Sequence, residues 1–568
     1  MYTDIAGVHH LSFVQSIDGV PVYGNGVKAN VSRDGRLISV LGSPLRDLPS
    51  ELAPARVTRA QAERAASHDA TGAQGGGTSG DDTAEPVAYA MPDGTVRRAW
   101  QTVTFPDGHD MWLHVVDAAS GRVLYRQSLS SGLAAKKDAT TSDTKAAPGR
   151  PLFSPTFGPG QVLAWDNAPG DQRGGRPYPR DLIARGWLPV DARTLDGNVA
   201  HVYSDVDGNN KADADEEITP AADGSFAFPL TPFTGDGCGT PVPCSWDAKT
   251  PYSWQTNRAQ NAAQVMYFLG KFHDHLEAAP IGFTRAAGNF DARDGDAVQA
   301  QTDTNAAENN GLPRSYHLND ANMDIPPDGR PAVMEIYLTA PRTGYPIVQG
   351  NWGDNAVVVY HEYTHGLSYR LVVDADGVAA LNGSQPRALG EGWSDWYALD
   401  FLTAEGLRED NRDTDGDITI DAPGWIDAVP TRTQGLDCPV GSTSAKCPGT
   451  PTAGPGGYTY GDYGKVRATG TEGHADGEIW SETLWDLRTA LGSDLTESLV
   501  TRAMELSPVD PSFLDQRDAI LQADTVVNGG RAADTIWKVF AHRGMGYFAT
   551  SLTGGDAKPH EDFSMPPR

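Results

Sequence analysis

The residues best suited to chemistry lie between Asp354 and Arg370, in DNAVVVYHEYTHGLSYR. His361-Glu362-Tyr363-Thr364-His365 is an H-E-x-x-H. On an α-helix, side chains four apart share a face, so His361 and His365 can aim two imidazoles at one point. Neutral imidazole nitrogen suits Zn2+, which takes ligands at ~2.0–2.1 Å. Glu362 leaves the helix beside that face, where it can take a proton from water at the metal. The apolar run Ala356 to Tyr360 predicts a helix buried against other elements, with Asp354 as its N-cap and Gly366 leaving room for close packing. The alternative is a helix carrying two structural histidines.

Two later stretches bear on that choice. A catalytic zinc with two histidines needs a third protein ligand and one open position. In Gly390-Glu391-Gly392-Trp393-Ser394-Asp395, Glu391 stands 26 residues past His365, enough chain to turn and return as a second helix. Glu391 and Asp395 are one helical turn apart, so Asp395 can accept the spare N–H of a metal-bound imidazole. Trp393, Trp396, Tyr397, Leu399 and Phe401 imply burial around this acidic pair, against the alternative of a water-facing acidic face. In Gly473-His474-Ala475-Asp476-Gly477-Glu478-Ile479-Trp480, a histidine at a helix start is poised to donate to a developing oxyanion. Taken alone, such a histidine is more often structural.

HEYTHGLS, GEGWSD and GHADGEIW, in this order, resemble the fungalysin metallopeptidases, relatives of the thermolysin-like gluzincins. The likeness extends upstream to Phe272-His273-Asp274, to GFTRAAGNF from Gly282 to Phe290, and to Pro326-Pro327-Asp328-Gly329 before Met334-Glu335-Ile336-Tyr337-Leu338. It covers roughly residues 155–568. The resemblance implies an α+β, two-lobed thermolysin-like zincin: a β-rich N-terminal lobe over 151–345 and a mainly α-helical C-terminal lobe over 346–568. An α+β propeptide over 1–150 precedes it. It also implies one catalytic Zn2+ held by His361, His365 and Glu391, with Glu362 as general base, His474 at the oxyanion and Asp395 behind a ligand histidine. By the same resemblance, the strand from Met334 to Leu338 edges the cleft and pairs with extended peptide. HLSFVQSIDGVPVYGNGVKANVSRDGRLISVLG, from His10 to Gly42, looks like the fungalysin/thermolysin propeptide module, and residues 97–127 like its PepSY-like half. The implied function is a secreted zinc endopeptidase made as a latent precursor, with proteins or peptides as substrates and its own propeptide as inhibitor. A zinc aminopeptidase and a non-catalytic extracellular calcium-binding protein on a peptidase scaffold are the alternatives. The first would need an acidic anchor for a substrate N-terminus, and the second fits poorly with a complete ligand and base set.

The chain as a whole agrees with an exported enzyme. It has 568 residues, 39% of them hydrophobic, and a net charge of −29 from 74 acidic and 45 basic side chains. That charge argues against nucleic acid and against anionic membrane surfaces as partners. No apolar run approaches the ~18 residues that span a bilayer. Nothing in the chain calls for more than a monomer. Met1-Tyr2-Thr3-Asp4 lacks the basic and apolar regions of a signal peptide, so an export signal is expected upstream. Cys238/Cys244 and Cys438/Cys447 form two local pairs in Gly/Pro/Ser/Thr-rich loops and read as short disulfide staples, with free cysteines of a cytosolic enzyme as the alternative.

The remaining elements follow from pattern. Residues 7–42 alternate as strands with Asp18-Gly19 and Asp34-Gly35 as turns. Thr58 and Gln61 form a capping box for a helix through Ala66. Residues 70–85 read as loop, and strands follow near 97–104, 111–117 and 123–127. Ser128 to about Pro159, with Lys136-Lys137, reads as a linker. Asp205 to Glu216 has the spacing of an EF-hand-type loop, with oxygen donors at Asp205, Asp207, Asn209, Asp213 and Glu216. Asn210 replaces the usual Gly at its sixth position, and a solvated acidic loop is the alternative to Ca2+ binding. Asp413–Asp417 is a shorter acidic run of the same kind. Asn257 to Glu277 reads as a long helix on which His273 and His275 are structural. Tyr458, Tyr460 and Tyr463 precede His474. Tyr460 is the candidate phenolic donor to the oxyanion, against a packing role for all three. Helices are expected near 478–490, 494–506, 511–523 and 532–542.

Overall fold

The computed structural model describes residues 1–71, 82–105, 110–132, 144–146, 157–171, 173–235, 238, 243–341, 347–411, 413–420 and 431–567. Most of the expected 70–85 loop and of the Ser128–Pro159 linker, Lys136-Lys137 included, lies outside these residues.

The first strands, β1 (Tyr2–Thr3), β2 (His9–Phe13), β3 (Val27–Val31) and β4 (Leu37–Gly42), form one antiparallel sheet in that order. The Asp18-Gly19 turn has both residues at positive φ, the geometry that a two-residue hairpin demands. Thr58 N–H donates to Gln61 Oε1 at 2.8 Å, and helix α1 (Arg59–Thr71) follows. A second sheet holds β5 (Thr83–Ala90), β6 (Val96–Thr104), β7 (Trp112–Asp117) and β8 (Val123–Ser128), ordered β8-β7-β6-β5. β5 is absent from the sequence reading because Pro86 interrupts its pattern. An edge strand tolerates proline, and β5 lies at the edge. Ala62 and Ala66 of α1 pack on Val116 of this sheet, so the region has small cores of its own.

The chain then crosses from one sheet to another within two residues. Leu129 N–H donates to Met111 O, while Leu129 O accepts from Ile325 N–H. The next strand, β9 (Ser130–Gly132), joins a different sheet built from β10 (Ala200–Tyr203), β11 (Val298–Gln301), β12 (Ala321–Asp324) and β13 (Val333–Ile336). Its order is β9-β12-β13-β11-β10; β9 and β12 run antiparallel to their inner neighbours and the rest are parallel. The Met334–Leu338 strand, expected at the cleft edge, is therefore interior. Its four residues in β13 are all buried, as expected of a strand flanked on both sides.

Helices α2 (Arg258–Glu277), α3 (Ala356–Leu371) and α4 (Ser384–Ala404) stack behind this sheet. Every residue of α3 is buried, as its apolar first turns require. Its N-cap is Asn355, whose side chain accepts from Val357 N–H at 3.1 Å; Asp354 instead accepts from Gln260 Nε2. The rest is helical: α5 (Gly473–Leu491), α6 (Ser493–Leu506), α7 (Phe513–Ala523) and α8 (Ala533–His542). One continuous core runs from Val162 to Ala549 and binds sheet and helices together. Both cysteine pairs are disulfides, with Cα atoms 5.2 and 5.6 Å apart. No helix among the described residues is long and apolar enough to cross a membrane.

Candidate metal centre

Helix α3 turns His361 and His365 toward α4, and α4 presents Glu391 to both. Their ligand-type atoms lie within 4.8 Å of one another, and all three side chains are buried. His361 Nε2 is 3.3 Å from Glu391 Oε2, and His365 Nε2 is 3.8 Å from Glu391 Oε1. Two ligands bound at ~2.0–2.1 Å to a tetrahedral ion stand ~3.3 Å apart, so this spacing fits zinc. His361 Nε2 and Glu391 Oε2 face each other without an aligned hydrogen bond. Buried polar atoms left so are costly unless a cation completes them.

Helix α5 closes the third side. Gly392 and Gly477 let α4 and α5 approach backbone to backbone: a Cβ on Gly392 would stand 2.7 Å from Gly477 O, and one on Gly477 2.8 Å from Ala388 O. This close crossing brings His474 Nε2 to 3.3 Å from Glu391 Oε2. Glu472 caps α5 by accepting from Ala475 N–H, and its Oε1 lies 2.7 Å from His474 Nδ1. Burial pulls the His474 pKa down, but Glu391 and Glu472 outweigh it and the net shift is upward. Glu472 is held at about 2 despite its burial, mainly by His474.

Behind His361, Asp395 Oδ1 stands 2.9 Å from Nδ1, a hydrogen-bond length whose angle departs from linear. Arg432 grips the same carboxylate, with Nε 2.7 Å from Oδ2 and Nη2 2.9 Å from Oδ1. Its Nη2 also lies 3.5 Å from Glu391 Oε2. Burial works against both charges, and the Arg432–Asp395 pair overrides it, lowering the acid and raising the base. His361 is pushed up to about 9, because the Asp395 and Glu391 contacts outweigh its burial. Burial drives His365 down to about 3, which keeps it neutral.

Glu362 is wholly buried and neither carboxylate oxygen has a hydrogen bond. Burial lifts it to about 8; Glu391 adds to the rise and His361 opposes it. Tyr460 is engaged elsewhere. Its hydroxyl donates to Gln385 Oε1 at 2.8 Å and its ring stacks on Phe513.

Arg432 and Glu472 are absent from the sequence reading. Arg432 is a lone arginine in a Pro/Thr-rich loop, with no periodicity to tie it to Asp395. Glu472 was reachable: an acid two residues before a helix-start histidine can both cap the helix and hold the ring.

The acidic loop forms a second cluster. Carboxylate oxygens of Asp205, Asp207 and Glu216 lie within 4.8 Å of one another, and Asn209 Nδ2 donates to Asp213 Oδ2 at 2.9 Å. Asn210 takes φ +59°, the left-handed backbone that asparagine tolerates. Burial lifts Asp205 and Glu216 to about 7 each, with neighbouring carboxylates adding to both. In the second acidic run, Asp417 is paired with Lys446.

The profile of the fungalysin metallopeptidases (M36) matches residues 177–549, and the fungalysin/thermolysin propeptide motif matches residues 1–44. Extracellular metalloproteinase mep of Aspergillus fumigatus is 27% identical over 596 aligned residues, covering 96% of this chain and 82% of that one. Probable extracellular metalloproteinase 3 of Trichophyton verrucosum is also 27% identical, covering 96% and 83%. Extracellular metalloproteinase 10 of Coccidioides posadasii is 32% identical over 334 residues, 52% of this chain and 46% of that one. Among solved structures, the Bacillus megaterium YpeB C-terminal domain aligns at 14% identity and TM-score 0.16 over 21% of this chain and 51% of that chain, too slight to bear on the fold. The family match spans α2 through α8 and takes in all of the buried cluster between α3, α4 and α5, so the chain belongs to the fungalysin metallopeptidase family.

Proposed function

We propose that this chain is the precursor of an extracellular zinc endopeptidase whose metal is held by His361, His365 and Glu391. The observation that carries the reading is the convergence of these three buried side chains, two of them with ring and carboxylate atoms at a tetrahedral ligand spacing. When bound, zinc supplies Lewis acidity that polarises a carbonyl and brings the pKa of water toward ~7. Glu362 takes the proton of the attacking water on a carboxylate oxygen and returns it to the leaving amine. Its burial beside the cluster raises its proton affinity for that exchange. His474, kept charged by Glu391 and Glu472, donates from Nε2 to the oxygen that gains charge. Asp395, locked by Arg432, holds the His361 ring so that Nε2 faces the metal. The engagement of its hydroxyl with Gln385 argues for leaving Tyr460 out of the chemistry.

In this reading residues 1–150 are the propeptide, 151–345 the N-terminal lobe and 346–568 the helical lobe, with the zinc site in the cleft between lobes. The enzyme is a monomer and carries one structural Ca2+ in the Asp205–Glu216 loop. The deciding experiment is digestion of an unfolded protein with and without a zinc chelator, with mass mapping of the fragments. Internal cleavage abolished by the chelator is expected. Release of single N-terminal residues would turn the reading to an aminopeptidase, and cleavage indifferent to the chelator would end the zinc assignment.

A further inference from the structure

The strand β9 belongs by sequence to the N-terminal module and by pairing to the peptidase sheet. Without it, β12 would be that sheet's edge, and a free edge is where an extended peptide adds. β9 runs antiparallel to β12, with Ser130 opposite Asp324, Ser131 opposite Met323 and Gly132 opposite Asn322. Hydrogen-bonded pairs alternate along such a ladder, and Ile325 N–H already donates to Leu129 O. Ser131 and Met323 are therefore the next pair to exchange main-chain bonds. The Ser131 side chain points at the metal cluster: its Oγ lies 3.0 Å from Nδ1 and 3.3 Å from Nε2 of His365, against the ring and not in line with one nitrogen. Tyr369, one turn further along α3, sits edge-on to the same ring and bonds the same hydroxyl.

From this juxtaposition we infer that Ser130–Gly132 is the inhibitory element of the precursor: it occupies the strand position of a peptide substrate on β12, with Ser131 set against His365. The inference rests on the peptidase reading and deepens it, because it names the substrate-pairing edge and the residue that blocks it. The rest of the N-terminal module is the anchor. Leu129 is buried and bonded to both sheets, Gln127 Nε2 donates to Ala379 O at 2.8 Å, and Lys28 Nζ donates to Val373 O at 2.8 Å. These contacts hold a three-residue strand that is too short to stay bound by itself.

The test uses the full-length chain carrying Glu362→Gln, which cannot process itself, and the same chain after cleavage by added wild type. Amide exchange over 321–325 and binding of a fluorescein-labelled dipeptide hydroxamate are measured on both. Exchange at Met323 should be slow in the intact chain and faster after processing, and the probe should bind the processed chain at least about tenfold more tightly, as loss of more than one ladder bond implies. Adding Ser131→Pro to the intact chain removes a ladder N–H and should recover most of both changes, with Ser131→Ala recovering less. Equal Met323 exchange and equal probe affinity before and after processing would overturn the inference. So would a folded Ser131→Pro chain that behaves as the intact one. If the proline chain does not fold, the comparison of intact with processed Glu362→Gln still decides. A processed chain that binds no hydroxamate counts against the zinc reading, while its exchange at 321–325 still judges the strand.

Discussion

His361, His365 and Glu391 come from two buried helices, whereas Asp205, Asp207 and Glu216 come from a single loop. In the helical cluster every donor has an outside support: Asp395 and Arg432 behind His361, His474 and Arg432 beside Glu391. In the loop the carboxylates are occupied by the loop's own backbone. Asp205 accepts from the N–H groups of Asn209 and Asn210, and Glu216 from Val206 N–H. The first site is held open for an ion by packing. The second closes on itself when no ion is bound and must exchange internal bonds for metal bonds. Chemistry needs the first arrangement, because a general base cannot be aimed by a loop that rearranges. Reversible stabilisation needs only the second.

The largest expected effects separate base from ligand within the helical site. Glu362→Gln should keep about one zinc and lose ~10²–10⁴ in kcat/KM, the usual contribution of a general base. Glu391→Ala should lose the metal itself, since two histidines leave the site underfilled. Zinc content by atomic spectroscopy, read beside peptide hydrolysis, checks both. Near wild-type turnover by zinc-loaded Glu362→Gln would remove Glu362 from the mechanism, and unchanged zinc in Glu391→Ala would name another ligand.

The supports come next. Asp395→Ala should weaken zinc retention against a competing chelator by about 10–100-fold, the usual cost of losing the group behind a ligand histidine. It also strands Arg432, which is buried and pairs chiefly with Asp395, so the melting temperature should fall too. An unaltered chelator titration would mean that packing alone orients His361.

The loop sharpens the contrast from its own side. Calcium that binds only the native state stabilises it by about 2.7 kcal/mol at a hundredfold excess over Kd. The melting temperature should rise with added Ca2+, and Asp205→Ala with Asp207→Ala should abolish the rise. The sign with pH follows from the raised carboxyls. Asp205 and Glu216 sit at about 7 in the folded chain, above their ordinary range, so the metal-free fold binds more protons than the unfolded chain. Their contribution is full below their ordinary pKa values and is lost as pH rises through about 7. Without calcium, this loop should therefore favour stability at pH 6 over pH 8. Protons compete with the ion, so calcium affinity should run the other way. Calorimetry at the two pH values decides, and a calcium response unchanged in the double variant would place the ion elsewhere.

The two sites were also unequally legible in the sequence. The zinc-type cluster is carried by helical periodicity: i and i+4 on α3, then Glu391 and Asp395 one turn apart on α4. Its long-range supports are not periodic. Arg432 reaches Asp395 from a loop 37 positions away, and nothing local marks it. The strands around β12 failed for a similar reason. Both β12 and β13 are short and apolar, and which of them is the edge depends on where Ser130–Gly132 docks, a pairing between residues about 190 apart. The N-cap of α3 moved by one residue because Asp354 has a better partner in Gln260, on a helix distant in sequence.

The smallest expected effect concerns Tyr460, and it tests whether a side chain near the helical cluster can be purely structural. Its phenol is buried, with its pKa raised chiefly by that burial, and it donates to Gln385 Oε1 near the start of α4. The same Oε1 accepts from Phe513 N–H at 3.1 Å, and Gln385 Nε2 donates to Ser551 Oγ and Asp556 O. Tyr460 therefore belongs to a knot joining α4, α7 and the C-terminal tail. In Tyr460→Phe the acceptor keeps its bond from Phe513, and the ring keeps its stack, so no buried acceptor is orphaned. The cost should be the net worth of one hydrogen bond, about 0.5–1.5 kcal/mol of stability, with kcat/KM nearly unchanged. An oxyanion donor behaves otherwise, since its removal costs about 10²–10³ in kcat with little change in stability. Urea unfolding measured beside peptide hydrolysis separates the two. A folded, equally stable Tyr460→Phe chain that had lost a hundredfold in turnover would return the phenol to the active site and require Gln385 to release it when substrate binds.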